Sequence, residues 1–203
     1  MLNHRKKRPL IRTTGTLRDA RLIVVATEGE KTEESYLKSL EGFRVKIRVL
    51  NCTDGKSAPE YVLQRMEDFC REYQIGGDDQ LWLALDVDRW GDKKLSGIAS
   101  ECGRKNIFLA ISNPCFEIWL AFHLEDDPLI YLNSESKCSD VVQFIREKLG
   151  SYSKAGPLPE EIFSGIERAI ERAKQNSKSS QRWPGPALGS DVFKLIQEIR
   201  ALA

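Results

Sequence analysis

The chain has 203 residues, 41% hydrophobic and 30% charged, which is ordinary globular composition and enough for one α/β domain with a small appendage. That length is too short for a multidomain polymerase or topoisomerase. No apolar run approaches the roughly 18 to 20 residues that span a bilayer, and the basic N-terminus lacks the apolar stretch of a secretory signal, so a soluble cytoplasmic protein without membrane contact is expected. The formal net charge of +1 is unevenly spread. Through Arg21 the basic residues Arg5, Lys6, Lys7, Arg8, Arg12, Arg18 and Arg21 meet a single acid, Asp19, and the remainder is mildly acidic. Residues 1–21 have no hydrophobic periodicity and read as a flexible basic arm, suited to contact with phosphates or to plain solvation. Cys52, Cys70, Cys102, Cys115 and Cys138 are odd in number and form no Cys-x-x-Cys pair. Neither a disulfide framework nor a zinc ribbon is expected, and all five read as buried or incidental thiols.

Order begins at Leu22-Ile23-Val24-Val25-Ala26, a short β-branched run of the kind that forms a parallel strand buried on both faces. Thr27-Glu28-Gly29 ends it. A helix is predicted from Thr32, whose hydroxyl would cap it, with Glu33 and Glu34 in the first turn and an apolar stripe of Tyr36, Leu37 and Leu40. Residues 45–50 alternate with period two, the pattern of a less buried, edge strand. The loop 54–59 launches a helix whose face is Tyr61, Val62, Met66, Phe69 and Tyr73. A second continuous apolar run, Leu81-Trp82-Leu83-Ala84-Leu85, leads directly into Asp86-Val87-Asp88. A helix over 95–102 precedes a fourth strand over 107–111, which stops at Ser112-Asn113-Pro114. Helices are predicted over 116–124, 139–149, 160–174 and 191–202, and residues 177–189, with Arg182 and Trp183, read as a loop. Strands alternating with helices at this spacing argue for an α/β fold with a mainly parallel sheet flanked by helices. The organisation expected is a basic arm (1–21), an α/β domain (22–125) and a helical C-terminal extension (126–203) packed on it.

The acids fall where such a fold binds ligands. Glu28 follows the first strand, Asp86 and Asp88 the third, and Glu117 lies one helical turn past the fourth. In a parallel sheet the carboxyl ends of all strands share one edge, so topology alone predicts that these side chains converge. Asp86 and Asp88, two apart, face the same side if the backbone stays extended, and paired carboxylates repel unless a cation or a shared proton relieves them. Hard oxygen ligands select Mg²⁺ or Mn²⁺, ions that assist phosphodiester chemistry. Taken singly, each acid has a plainer role: Asp86 and Asp88 as helix caps, Glu28 as a solvated loop acid, Glu117 as a partner of a helix dipole.

The strings Val25-Ala26-Thr27-Glu28-Gly29-Glu30-Lys31-Thr32-Glu33-Glu34, Leu85-Asp86-Val87-Asp88 and Ser112-Asn113-Pro114-Cys115-Phe116-Glu117-Ile118-Trp119-Leu120 resemble the RloB-like family of prokaryotic proteins. The likeness continues through Tyr152-Ser153-Lys154 and Val192-Phe193-Lys194-Leu195, so it spans nearly everything beyond the basic arm. It implies a Toprim-like Rossmannoid fold related to topoisomerases, DnaG-type primases and overcoming-lysogenization-defect nucleases. By that resemblance Glu28 is the acid/base or metal-adjacent glutamate, Asp86 and Asp88 are the metal-binding pair, and Glu33 and Glu117 are further metal ligands. Glu34 competes with Glu33, because the spacing after Gly29 is one residue longer than the related short pattern. Lys154 is a phosphate or transition-state contact. The catalytic set is then Glu28, Asp86, Asp88 and Lys154, with Mg²⁺ or Mn²⁺ held by Glu28, Glu33, Asp86, Asp88 and Glu117.

The implied activity is a metal-dependent nuclease of DNA or RNA in phage defence, partnered by an ABC- or AAA-type ATPase, since the chain itself has no ATPase motif. Gly55-Lys56-Ser57 resembles the end of a Walker A loop, but the earlier glycine would have to be at Leu50, so ATP binding there is rejected. Only His4 and His123 exist, which argues against histidine-centred catalysis. Trp90, just past Asp88, is the tryptophan expected near substrate. The rivals are a primase-like nucleotidyl transferase, since one fold serves both chemistries, and a non-catalytic nucleic-acid or partner-binding subunit. Self-association as a homo-oligomer is left open.

Overall fold

The computed structural model describes residues 20–53, 55–87, 90–150, 152–154, 156–177 and 188–202, with the side chain of residue 92 left aside. The basic arm up to residue 19, Asp88, and the loop residues Arg182 and Trp183 lie outside the described residues. A five-stranded sheet has the order β2-β1-β3-β4-β5. Its strands are β1 (Arg21–Thr27), β2 (Val45–Leu50), β3 (Gln80–Asp86), β4 (Ile107–Asn113) and β5 (Gly189–Ser190). The first four are parallel, and β5 joins β4 antiparallel, with Ser112 opposite Ser190. The chain is therefore a Rossmann-like α/β fold. The period-two segment is the edge strand β2, with burial alternating along Val45, Ile47 and Val49.

Side-chain alternation divides the core into two layers. Ile23 and Val25 of β1 and Trp82 and Ala84 of β3 face one cluster, and Val24, Ala26, Leu83 and Leu85 face the other. Helices α2 (Pro59–Glu72) and α3 (Gly91–Arg104) cover the second face through Val62, Leu63, Met66, Leu95 and Ile98. On the opposite face lie α1 (Thr32–Lys38), α4 (Glu117–Ala121), α6 (Cys138–Leu149), α8 (Ile166–Asn176) and α9 (Val192–Leu202). Short helices α5 (Pro128–Tyr131) and α7 (Glu160–Ser164) complete the chain. Continuous apolar strands fit this sandwich because both faces are dry; each fully buried aliphatic side chain contributes roughly 1.5 to 3 kcal/mol. Val192, Leu195 and Ile196 share the first cluster with Trp82 and Ala110, so the last helix is built on the sheet. No helix among the described residues is long and apolar enough to cross a membrane.

Four local expectations change. Thr32 is not a cap: the cap position is Lys31, and the Thr32 hydroxyl instead donates to the Lys154 carbonyl at 2.8 Å. Tyr61 is 48% exposed, and Leu63 takes its place in the core. Residues 189 and 190, read as loop and helix lead-in, add the fifth strand, a pairing too short to leave a period. The helix predicted over 160–174 breaks at Gly165 into α7 and α8.

Gly165 breaks the helix because the backbone of α4's end lies against it. A Cβ there would fall 2.8 Å from the His123 carbonyl carbon and closer still to its oxygen. From the next turns, Arg168 donates to the His123 carbonyl at 2.8 Å, and Arg172 donates to those of Phe122 (3.1 Å) and Leu124 (2.6 Å), so α8 satisfies the open carbonyl end of α4. Gly165→Ala should force the two backbones apart and cost about 1 to 3 kcal/mol, visible as a lower urea midpoint with an unchanged slope.

Candidate active site

The strand order reverses between β1 and β3: the chain leaves β1 for β2 on one side and returns to place β3 on the other. Such a switch point opens a crevice beyond the carboxyl ends of the two strands. Glu28 sits immediately after β1 and Asp86 is the last residue of β3. Glu28 Oε1 accepts from the Asp86 backbone N–H at 3.0 Å, and Trp90 Nε1 lies 3.0 Å from both Glu28 oxygens, donating its N–H to the carboxylate. Two neutral donors thus hold the Glu28 head group, which is about nine-tenths buried, at the mouth of the sheet. Lys94 Nζ stands 4.4 Å from the Trp90 ring, bracing its far face.

Glu28 and Asp86 line a cleft of about 600 Å³ whose walls also include Glu33, Glu117 and Lys154. Of the acids expected there, Glu28, Glu33, Asp86 and Glu117 are brought to one cavity, and Asp88 lies outside the described residues. Of the two alternatives, Glu33 is 7% exposed in the cleft wall, whereas Glu34 accepts from Asn51 Nδ2 at 2.7 Å and does not line the cleft. Glu33 Oε1 accepts the Gly29 N–H at 3.0 Å. Burial pushes the Glu33 carboxyl above the usual range, with the Glu117 charge adding to the rise, while the Glu33 and Gly29 backbone N–H groups and Lys154 oppose it.

Glu117, only 3% exposed, is paired with Lys154 Nζ at 2.9 Å, and the Tyr152 hydroxyl approaches the same Oε1 at 3.5 Å. Burial and the Glu117 charge push the Tyr152 hydroxyl up, so it stays protonated and able to donate. Lys154 is held over the cleft by its backbone, whose carbonyl takes the Thr32 hydroxyl. Arg146, Lys31 and Lys154 place three cationic side chains around the acids, so the cavity offers both cation ligands and phosphate partners.

The expectation that all five cysteines are thiols fails for two of them. Cys115 and Cys138 form a disulfide, with Cα atoms 5.6 Å apart, in the wall of the same cleft; Cys52, Cys70 and Cys102 remain thiols. A separation of 23 residues carries no recognisable spacing, so only the fold, which stacks α6 against α4, brings the two together. Among the described residues, Cys115, Glu117 and Cys138 also form a group whose ligand atoms lie within 4.8 Å of one another, a possible metal-binding triad. Trp90 is the residue whose role sequence left vaguest. Its position two after Asp88 was the signal, and its observed contact is with Glu28.

The family model for RloB-like proteins matches residues 23–199. The chain belongs to the RloB-like family. Every acid just described falls within that match, as do Trp90, Lys154 and both bonded cysteines. Searches of curated proteins and of solved structures returned no match.

Gly29 explains how this RloB-like chain keeps Glu33 in place. A Cβ at Gly29 would land on the Glu33 carboxylate, nearer than any real contact allows. Gly29→Ala is expected to swing Glu33 toward solvent and bring its raised pKa down toward the ordinary carboxylate range, which a carbon-13 titration of the side-chain carboxyls would read.

Proposed function

We propose that this RloB-like chain is a cytoplasmic, Toprim-type nuclease that hydrolyses phosphodiester bonds of DNA or RNA with Mg²⁺ or Mn²⁺, acting in phage defence beside a separate ABC- or AAA-type ATPase. The single observation that carries the proposal is the pair of carboxylates at the switch point, Glu28 and Asp86, tied by the Asp86 N–H and opening onto a cleft that also holds Lys154. The donor set fits a hard divalent ion: carboxylate oxygens at the sheet edge, with Glu33 and Glu117 across the cleft as further oxygen donors. Glu28 and Asp86 would hold such an ion, and Asp88 is the sequence neighbour expected to join them. When bound, the ion supplies charge neutralisation at the phosphoryl group and a more acidic attacking water.

The protein's own contributions follow from the contacts. Trp90 and the Asp86 N–H fix the rotamer of Glu28, so its carboxylate can take a proton from water at Oε2 without first reorienting. Lys154, half exposed and 2.9 Å from Glu117, can turn from that carboxylate to a phosphate oxygen as the strand enters. Arg146 lines the same wall and offers a second phosphate contact.

The test is incubation of labelled single- and double-stranded DNA and RNA with the protein, with Mg²⁺, Mn²⁺ or chelator. Metal-dependent cleavage of at least one substrate is expected. Binding without cleavage under every metal condition, with the candidate ATPase partner also supplied, would mark a binding subunit and overturn the nuclease proposal. Strand extension from nucleoside triphosphates in place of cleavage would overturn it in favour of nucleotidyl transfer.

A further inference from the structure

We propose that Cys115 and Cys138 are a thiol/disulfide switch whose reduced form binds a thiophilic divalent cation, Zn²⁺ by preference, together with Glu117. The proposal shares Glu117 and Lys154 with the nuclease reading but uses neither Glu28 nor Asp86, so the two can fail separately.

Three features of the cleft wall carry it. The two sulfurs and a Glu117 oxygen already form a group within 4.8 Å of one another, with Glu117 Oε2 3.4 Å from Cys138 Sγ. Two thiolates and one carboxylate, with a fourth position open to the cleft, are a zinc donor set; Mg²⁺ prefers oxygen alone. A cation already stands at this spot: Lys154 Nζ is 2.9 Å from Glu117 Oε1 and 3.3 Å from Cys138 Sγ. Its side chain is half exposed, so it can withdraw to solvent when a metal ion enters. The sulfurs also differ in access. Cys115 is 1% exposed, whereas Cys138 is partly exposed at the first residue of α6 and lines the open cleft, within reach of a small thiol.

The chemistry balances with a low-molecular-weight thiol as reductant. Its thiolate attacks Cys138 Sγ, the Sγ–Sγ bond breaks, and Cys115 leaves with the electron pair and takes up a proton. A second thiol attacks the small molecule's sulfur in the mixed disulfide, releasing Cys138 and a small disulfide. Two electrons and two protons have then passed to the protein. Binding of the metal ion releases the two thiol protons to water. The covalent and metal-bound states each tie the start of α6 to the segment between β4 and α4, and the thiol state without metal leaves that wall of the cleft untied.

The experiment uses the full chain, reduced with a phosphine or oxidised with a small disulfide, freed of reagent and titrated anaerobically with Co²⁺ as a spectroscopic stand-in for Zn²⁺. Five thiols should be counted in denaturant after reduction and three after oxidation, the latter being Cys52, Cys70 and Cys102. Reduced protein should bind one Co²⁺ with a thiolate-to-metal charge-transfer band that Zn²⁺ displaces; oxidised protein should show none. Cys138→Ser should abolish the band, and Glu117→Gln should weaken binding about tenfold or more, while Asp86→Asn should leave it unchanged. Five thiols after oxidation, a reduced protein without the band, or an equal band in both redox states would overturn the proposal. The comparison of redox states needs no variant, so a misfolded mutant cannot shelter it. An absence of cleavage with this spectrum intact would count against the nuclease reading alone.

Discussion

Asp86→Asn is expected to lower Mg²⁺-dependent cleavage by about a hundredfold or more while leaving the fold intact. Asp86 ends β3, where its pairing with Ser112 of β4 runs through the backbone, and its half-buried side chain opens on the cleft rather than into either apolar layer. Asparagine keeps the shape and the backbone N–H that anchors Glu28, but removes the charge proposed to draw a divalent ion. Glu28→Gln should lose activity by a different route. Trp90 Nε1 faces both Glu28 oxygens, so one edge of a glutamine amide would confront a donor with a donor, and the proposed proton acceptor would be gone. Circular dichroism should be unchanged in both variants, and a steady-state assay on the substrate found to be cleaved would read the loss.

A second large effect concerns stability below neutral pH. His123 is fully buried; its Nδ1 donates to the Trp119 carbonyl at 2.8 Å, so its Nε2 must accept from the Tyr36 hydroxyl at 3.0 Å. Both nitrogens are satisfied in the neutral ring, and burial holds the pKa down to about 4. The unfolded chain binds a proton at this residue near pH 6.5 and the folded chain does not. Stability from the neutral imidazole is therefore fully present above about pH 6.5 and is lost as pH falls toward 4. The loss should approach about 3 kcal/mol over that window, the linkage energy of a shift of this size. Urea unfolding between pH 4 and 7 would measure it, and His123→Gln should remove this part of the slope. An identical pH slope in that variant would assign the acid sensitivity to other groups.

The sheet was legible because its strands are buried on both faces and so read as unbroken apolar runs, as in Leu22 to Ala26 and Leu81 to Leu85. The convergence of the acids on one cleft was legible for a related reason: parallel topology gathers residues that follow strands, and Glu28, Asp86 and Glu117 all follow strands. What escaped depends on long-range approach without a local period. The break at Gly165 is imposed by the His123 backbone, 42 positions earlier in the chain by residue number, and β5 pairs through two residues only. The Cys115–Cys138 bond joins two helical neighbourhoods whose contact no spacing announces. Thr32 looked like a cap from sequence, yet a distant carbonyl, that of Lys154, claims its hydroxyl.

The most direct test of the acidic edge as a metal centre is a thermal melt across a Mg²⁺ and Mn²⁺ titration, run on wild type and Asp86→Asn in parallel with cleavage. An ion that binds only the folded chain stabilises it by about 2.7 kcal/mol at a hundred times its dissociation constant. Wild type should therefore melt progressively higher as metal is added, with a clearly smaller shift in Asp86→Asn and cleavage lost in step. An Asp86→Asn protein that keeps both the wild-type metal shift and wild-type cleavage would contradict the account.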